Sequence, residues 1–129
     1  MGSIGAIRVD HVQINIIDLP RAKTFYETVF GLAETPRPES FDFAGAWYKI
    51  GDMDLHLVVR DAEPASARHF CIWVAGVHTA AQYLQQGGHQ IIWDTKYKIR
   101  GVDRFFVFDP DGNRIEIQGS DGTGASRWG

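Results

Sequence analysis

The chain has 129 residues, which leaves room for one domain built from two smaller modules. Apolar residues make up 44% and charged residues 22%, a balance typical of a globular core, while the net charge of −3 argues against nucleic acid or an anionic membrane as partner. No apolar run reaches the roughly 20 residues that cross a bilayer, no export signal is visible, and a lone cysteine fits the cytoplasm.

The first half of the chain carries the pattern of a strand, a helix and three further strands. Residues 11–17 alternate polar and apolar side chains, which is typical of a strand with one solvated and one buried face. Asp18 is the predicted N-cap of a helix that ends at Gly31. The remaining strands are predicted at 32–35, 43–50 and 55–59. A linker is predicted at 60–68.

The second half repeats this order. Its strands are predicted at 69–74, 90–93, 104–108 and 114–118. A helix is predicted at 77–86 and a basic loop at 94–103. The last two strands are joined by a strong turn, DPDGN. The sequence therefore predicts a single domain over 1–129, with module one at about 8–60, module two at about 68–119 and a patternless, mobile tail at 120–129.

The repeat singles out four side chains. His11 and His69 open the first strand of the two modules, 58 residues apart. His56 and Glu116 lie in the last strand of the two modules, 60 residues apart. Four metal-competent side chains thus occupy equivalent places in two copies of one supersecondary unit.

Strand alternation puts these four side chains on the polar faces of their strands. The opposite faces are aliphatic and suited to packing under a helix. A curved sheet with its polar faces on the concave side would form a cup, and imidazole with carboxylate suits Fe, Mn, Ni, Co or Zn. We therefore expect His11, His69 and Glu116 to hold a divalent metal ion. His56 is expected to be a fourth ligand, a catalytic base or a hydrogen-bond partner of the site.

Other polar residues have simpler interpretations. His78 and His89 fall outside the cup and are expected to be solvated, whereas Cys71 is expected to be a small core residue rather than a nucleophile. The basic loop is either a solvated surface loop or a lid that attracts an anionic substrate, through Lys96, Lys98 and Arg100.

The sequence resembles the glyoxalase/bleomycin-resistance/dioxygenase (vicinal oxygen chelate) superfamily. The resemblance spans most of residues 9–119 and is carried by DHVQINIIDLPRAKTFYETVFGL, RPESFDFAGAWYKIGDMDLHL, RHFCIWV and GVDRFFVFDPDGNRIEIQG. It implies an α+β fold of two paired βαβββ modules that form a curved mixed sheet around a divalent metal, within one chain or across a homodimer. The ligand positions it implies are His11, His56, His69 and Glu116.

The resemblance also implies a reaction type. It points to a metal-dependent lyase or isomerase whose small substrate chelates the metal through adjacent oxygens, with His56 and Glu116 as catalytic residues. His56 departs from glyoxalase I enzymes, which usually have Glu there. A non-haem Fe(II) dioxygenase with His11, His69 and Glu116 as ligands is the alternative. A metal-free drug-binding protein would have apolar residues at these positions, and this chain does not.

Overall fold

The computed structural model describes residues 2–3, 5–61 and 67–127. The chain divides into two compact units, 1–63 and 64–129, and each unit has the element order that the sequence predicts. Each unit contains one four-stranded mixed sheet with a helix between its first and second strands. The predicted α+β fold of paired βαβββ modules is therefore confirmed.

Unit one begins with a parallel strand and its helix. Its elements are β1 (His11–Ile16), α1 (Leu19–Thr24) with a π-helical turn (Phe25–Val29), β2 (Glu34–Thr35), β3 (Gly45–Ile50) and β4 (Met53–Val59). The Asp18 Oδ1 atom accepts a hydrogen bond of 3.0 Å from the backbone N–H of Arg21, so the predicted N-cap is confirmed. The strand order is β1-β4-β3-β2, with β1 parallel to β4.

Unit two repeats this arrangement. Its elements are β5 (His69–Trp73), α2 (Val77–Gln86), β6 (Ile91–Trp93), β7 (Val102–Phe108) and β8 (Arg114–Ser120). The strand order is β5-β8-β7-β6, with β5 parallel to β8. Both β7 and β8 extend two residues beyond their predicted bounds, because the two strands remain paired out to Val102 and Ser120. In the part of the chain that the structure describes, no helix is long and apolar enough to span a bilayer.

The core of each unit lies on one face of its sheet, as strand alternation predicts. In unit one the buried side chains include Ile16, Leu55 and Leu57, and in unit two Ile115 and Ile117. The opposite faces carry the four candidate ligands. Burial of aliphatic side chains against the helices thus fixes which side of each strand is polar.

Residues 121–127 differ from the predicted mobile tail. The backbone N–H of Asp121 donates to the carbonyl of Gly101 at 3.1 Å, and the Arg100 Nη1 atom donates to the Ser126 carbonyl at 2.7 Å. Gly101 has a φ of 77°, and a Cβ there would lie 2.2 Å from the Ala125 carbonyl oxygen. Hydrogen bonds and a close backbone approach at a glycine hold the segment, and neither leaves a hydropathy pattern. Most of the predicted linker, 62–66, lies outside the described residues.

Gly119 lets α2 begin close to β8. A Cβ at Gly119 would lie 2.8 Å from the Cβ of Val77 and 3.0 Å from the carbonyl oxygen of Val74. We expect Gly119→Ala to lower the free energy of unfolding by about 1–3 kcal/mol, because a packed helix must move away. Urea denaturation measures this change. Gly2→Ala is the control, since a Cβ there would meet no atom within 4 Å. Equal stabilities for the two variants would show that the close approach at Gly119 does not limit the packing of α2.

Candidate metal centre

Strand register places the predicted ligands at equivalent positions in the two units. In β1 and β4, His11 lies opposite Asp54, two residues before His56. In β5 and β8, His69 lies opposite Arg114, two residues before Glu116. The equivalence inferred from sequence spacing is therefore also an equivalence of hydrogen-bonded register.

The unit-two pair is in direct contact. The His69 Nε2 atom lies 2.9 Å from the Glu116 Oε1 atom, and the His69 Nδ1 atom lies 2.8 Å from the Ala67 carbonyl oxygen. A carbonyl oxygen only accepts hydrogen bonds, so Nδ1 carries a proton and donates it. In the neutral ring Nε2 then presents its lone pair to a carboxylate oxygen. Such an approach is favourable only when a proton or a cation lies between the two atoms.

Glu116 is fixed through its second oxygen. It is a buried carboxylate, and its Oε2 atom lies 2.5 Å from the Gln118 Nε2 atom and 3.4 Å from the Arg104 Nη1 atom. Arg104 is held in turn by Asp94. The Arg104 Nη2 atom donates a hydrogen bond of 2.7 Å to the Asp94 Oδ2 atom. These contacts occupy Oε2 and leave Oε1 to His69, so the carboxylate has a defined orientation.

Asp94 is itself part of a local turn. Its Oδ1 atom accepts hydrogen bonds from the backbone N–H groups of Tyr97 and Lys96, at 3.0 and 3.1 Å. These two bonds, followed by the Arg104 guanidinium, hold the pKa of Asp94 below its usual range. The carboxylate that anchors Arg104 is therefore ionised at neutral pH.

The unit-one pair is stacked. The rings of His11 and His56 have centroids 4.2 Å apart, and the His56 ring is parallel to Trp47 at 4.0 Å. The His11 Nδ1 atom lies 3.0 Å from Asp10, and the His56 Nε2 atom lies 3.4 Å from Asp54. Burial lowers the pKa of His56, which favours the neutral ring that a ligand or a base requires.

The spacing of the unit-two pair is that of an ordinary hydrogen bond and also that of two neighbouring ligands of an octahedral metal ion. Two ligand atoms each ~2.1 Å from one ion and at right angles are separated by about 3.0 Å. The observed separation of 2.9 Å between His69 and Glu116 matches this value. Within residues 5–61 and 67–127, no three His, Cys, Asp or Glu side chains lie close enough together to hold a metal. The structure thus brings the predicted residues together as two pairs.

Comparison with known proteins settles the family. The family model of the Glyoxalase/Bleomycin resistance protein/Dioxygenase superfamily matches residues 8–117. The chain belongs to this superfamily. It is 26% identical over 123 residues to "Glyoxylase I 4" of Arabidopsis thaliana, a match that covers 84% of this chain and 68% of that protein.

Solved structures of the superfamily have the same fold. A glyoxalase family protein from Bacillus anthracis aligns with a TM-score of 0.82 and 32% identity, over 90% of this chain and 97% of its own. Lactoylglutathione lyase from Agrobacterium tumefaciens aligns with a TM-score of 0.71 and 19% identity, over 93% and 98%. A fosfomycin resistance protein from Listeria monocytogenes aligns with a TM-score of 0.75 and 11% identity, over 91% of this chain and 96% of its own.

Two expectations about individual residues need correction or refinement. Cys71 is exposed rather than a core residue, because β5 places it on the polar face opposite Glu116. Partial burial of the thiol and the Glu116 carboxylate raise the pKa of Cys71 to about 12, so the thiol is protonated. His78 is exposed as expected, yet it lies 2.7 Å from Asp103 and stacks on Trp93.

Arg104 and Asp94 are site residues that the sequence pattern did not reveal. Arg104 pairs with Gln118 in the register of β7 and β8, so it lies on the Glu116 face of the sheet. Alternation backward from Phe106 could have found it. The Asp94 contact depends on the loop between β6 and β7, whose course leaves no periodic signal.

Arg104 is the cation on which the orientation of Glu116 depends. We expect Arg104→Met to lower the free energy of unfolding by about 3 kcal/mol or more, since it removes the guanidinium that pairs with both Asp94 and the buried Glu116. Lys98→Met is the matched control, because it breaks an exposed pair with Asp103 and should cost less than about 1 kcal/mol. Thermal and urea denaturation of both variants measure the difference; an Arg104→Met protein as stable as the control would contradict the assignment.

Proposed function

We propose that this chain is a divalent-metal-dependent lyase or isomerase of glyoxalase type. Its ligands are His11, His56, His69 and Glu116, two from each unit. Its substrate is a small molecule that chelates the metal through two adjacent oxygens. The observation that carries the proposal is the 2.9 Å approach of His69 Nε2 to Glu116 Oε1, in a ring whose other nitrogen already donates a hydrogen bond.

The register supports the inclusion of His11 and His56. They stand in unit one where His69 and Glu116 stand in unit two, and their rings are in contact. The metal, once bound, would supply a Lewis acid that stabilises negative charge on the chelating oxygens. The name of the Arabidopsis relative, "Glyoxylase I 4", supports a reaction of glyoxalase type.

The chain's own residues would supply the proton transfer. His56 is the proposed base. The single lone pair of a neutral imidazole cannot hold an ion and a proton together, so His56 would leave the metal when the chelating substrate binds. The freed ring would then take up and return protons near neutral pH. It would take the proton from the carbon next to one chelating oxygen and return it to the adjacent carbon. The flat contact with Trp47 at 4.0 Å would hold the His56 ring in one orientation during this transfer.

Metal binding is the first test. We expect Glu116→Gln to reduce the metal content of the protein at least tenfold while preserving its far-UV circular dichroism, because the amide removes the negative ligand. Glu34→Gln, an exposed glutamate on β2, is the matched control and should keep one metal per complete site. Inductively coupled plasma mass spectrometry after dialysis measures the content. Full metal occupancy in Glu116→Gln would refute the ligand assignment.

A dioxygenase is the second candidate, and one observation favours it. The His56 Nε2 atom already faces Asp54, and the ring is stacked on both sides, which suits a residue that neighbours a three-ligand site. His11, His69 and Glu116 would then form a two-His, one-carboxylate Fe(II) site with open positions.

Paired assays separate the two reactions. In the first assay, protein loaded with nickel, cobalt, manganese or zinc is mixed with a hemithioacetal in the absence of oxygen, and substrate turnover is measured. In the second assay, protein loaded with Fe(II) under anaerobic conditions is mixed with catechols, oxygen is admitted, and oxygen uptake is measured. We expect oxygen-independent turnover of a hemithioacetal that falls at least a hundredfold in His56→Ala. Catechol-dependent oxygen uptake that is lost in His69→Ala would instead establish the dioxygenase.

We further propose that the protein is a homodimer with two equivalent sites, each formed either within one chain or from unit one of one chain and unit two of the other. Mixing and refolding two defective variants, His11→Ala and Glu116→Ala, tests this. In a mixed dimer with shared sites, one site collects both defects and the other is intact. Random pairing makes about half of the dimers mixed, so metal content should rise to about 0.5 per dimer. If metal binding stays absent in the mixture, each site belongs to a single chain. A monomer in light scattering would lead to the same conclusion.

A further inference from the structure

Arg114 lies beside the unit-two ligand pair and has an unusual environment. It is the register partner of His69, and its guanidinium carbon lies 3.9 Å from the centre of the Phe106 ring. The His69 ring contacts the same Phe106 ring, with centroids 5.3 Å apart. Arg114, Phe106 and His69 therefore form one cluster on the Glu116 face of the sheet.

The Nε atom of the Arg114 guanidinium is buried and has no hydrogen-bond partner among the described residues. The charge of Arg114 acts on Asp94, but the Oδ2 atom of that carboxylate is already bonded to Arg104. Arg104, on the same face, is bound by Asp94 and lies near Glu116. A half-buried guanidinium with an unbonded Nε atom costs free energy, and the cation–π contact with Phe106 offsets only part of this cost.

We infer that Arg114 binds an anionic group of the substrate, a carboxylate or a phosphate, next to its chelating oxygens. This inference rests on the proposed function and narrows its substrate class. A guanidinium presents a planar fork of donors that matches both groups. The equivalent residue of unit one is Asp54, a carboxylate that would repel an anion, so recognition of the charged end belongs to unit two.

The first experiment uses metal-free protein and does not depend on the proposed function. The ¹⁵N–¹H resonance of the Arg114 side chain, assigned by its loss in Arg114→Gln, is followed during titration with acetate and with inorganic phosphate. We expect a saturable shift in the millimolar range for at least one anion, and the larger response identifies the preferred group. A resonance that neither anion shifts would overturn the inference.

The second experiment compares two chelators on Co(II)-loaded protein by calorimetry. Acetohydroxamate and succinic monohydroxamate chelate alike, but only the latter carries a distant carboxylate. We expect the native protein to bind the carboxylate-bearing probe about tenfold more tightly. That preference should disappear in Arg114→Gln, persist in part in Arg114→Lys, and remain complete in the control Arg100→Gln.

The controls keep the two hypotheses apart. The Arg100 guanidinium donates to the Ser126 carbonyl, away from the ligand pair, so Arg100→Gln tests for a general loss of positive charge. Equal preference for the carboxylate in the native and Arg114→Gln proteins, with metal bound in both, would overturn the role of Arg114. Failure of the native protein to bind Co(II) would overturn the metal site alone, and the metal-free titration would then decide on Arg114.

Discussion

Parallel pairing of the first strand with the last strand organises each unit. It brings His11 beside the β4 strand and His69 beside the β8 strand, although the partners are more than 40 residues apart in the chain. The helix between the first and second strands covers the apolar face and makes this crossover possible. The approach of His69 to Glu116 and of His11 to His56 depends on this register.

The two units use the same positions for different chemistry. Unit one places an imidazole between another imidazole and an indole, which restrains the ring without fixing a charge. Unit two surrounds a buried carboxylate with an imidazole, an amide and a guanidinium, so its charge is balanced and its orientation is set. The repeated register thus supplies the frame, and the side chains at equivalent positions give an uncharged, stacked imidazole pair in one unit and a charged, hydrogen-bonded carboxylate in the other.

Periodicity was sufficient to predict the order of elements, the buried faces and the equivalence of the four candidate residues. These features follow from alternation and from repeat spacing, which are properties of neighbouring residues. Contacts made by loops were not predictable, and Asp94 and the segment after Ser120 were therefore missed or misjudged. Cys71 was assigned to the core because its sequence neighbours are large and apolar, although alternation places it with His69.

We propose that His11, His56, His69 and Glu116 bind one metal ion. X-ray absorption spectroscopy of Co(II)- or Zn(II)-loaded protein tests it directly, because imidazole ligands give a distinct multiple-scattering signal. The account predicts three imidazole nitrogens and one carboxylate oxygen at ~2.1 Å from the metal. A spectrum with two imidazoles and one carboxylate would remove His56 from the ligand set. A first shell of oxygen atoms alone would contradict the account.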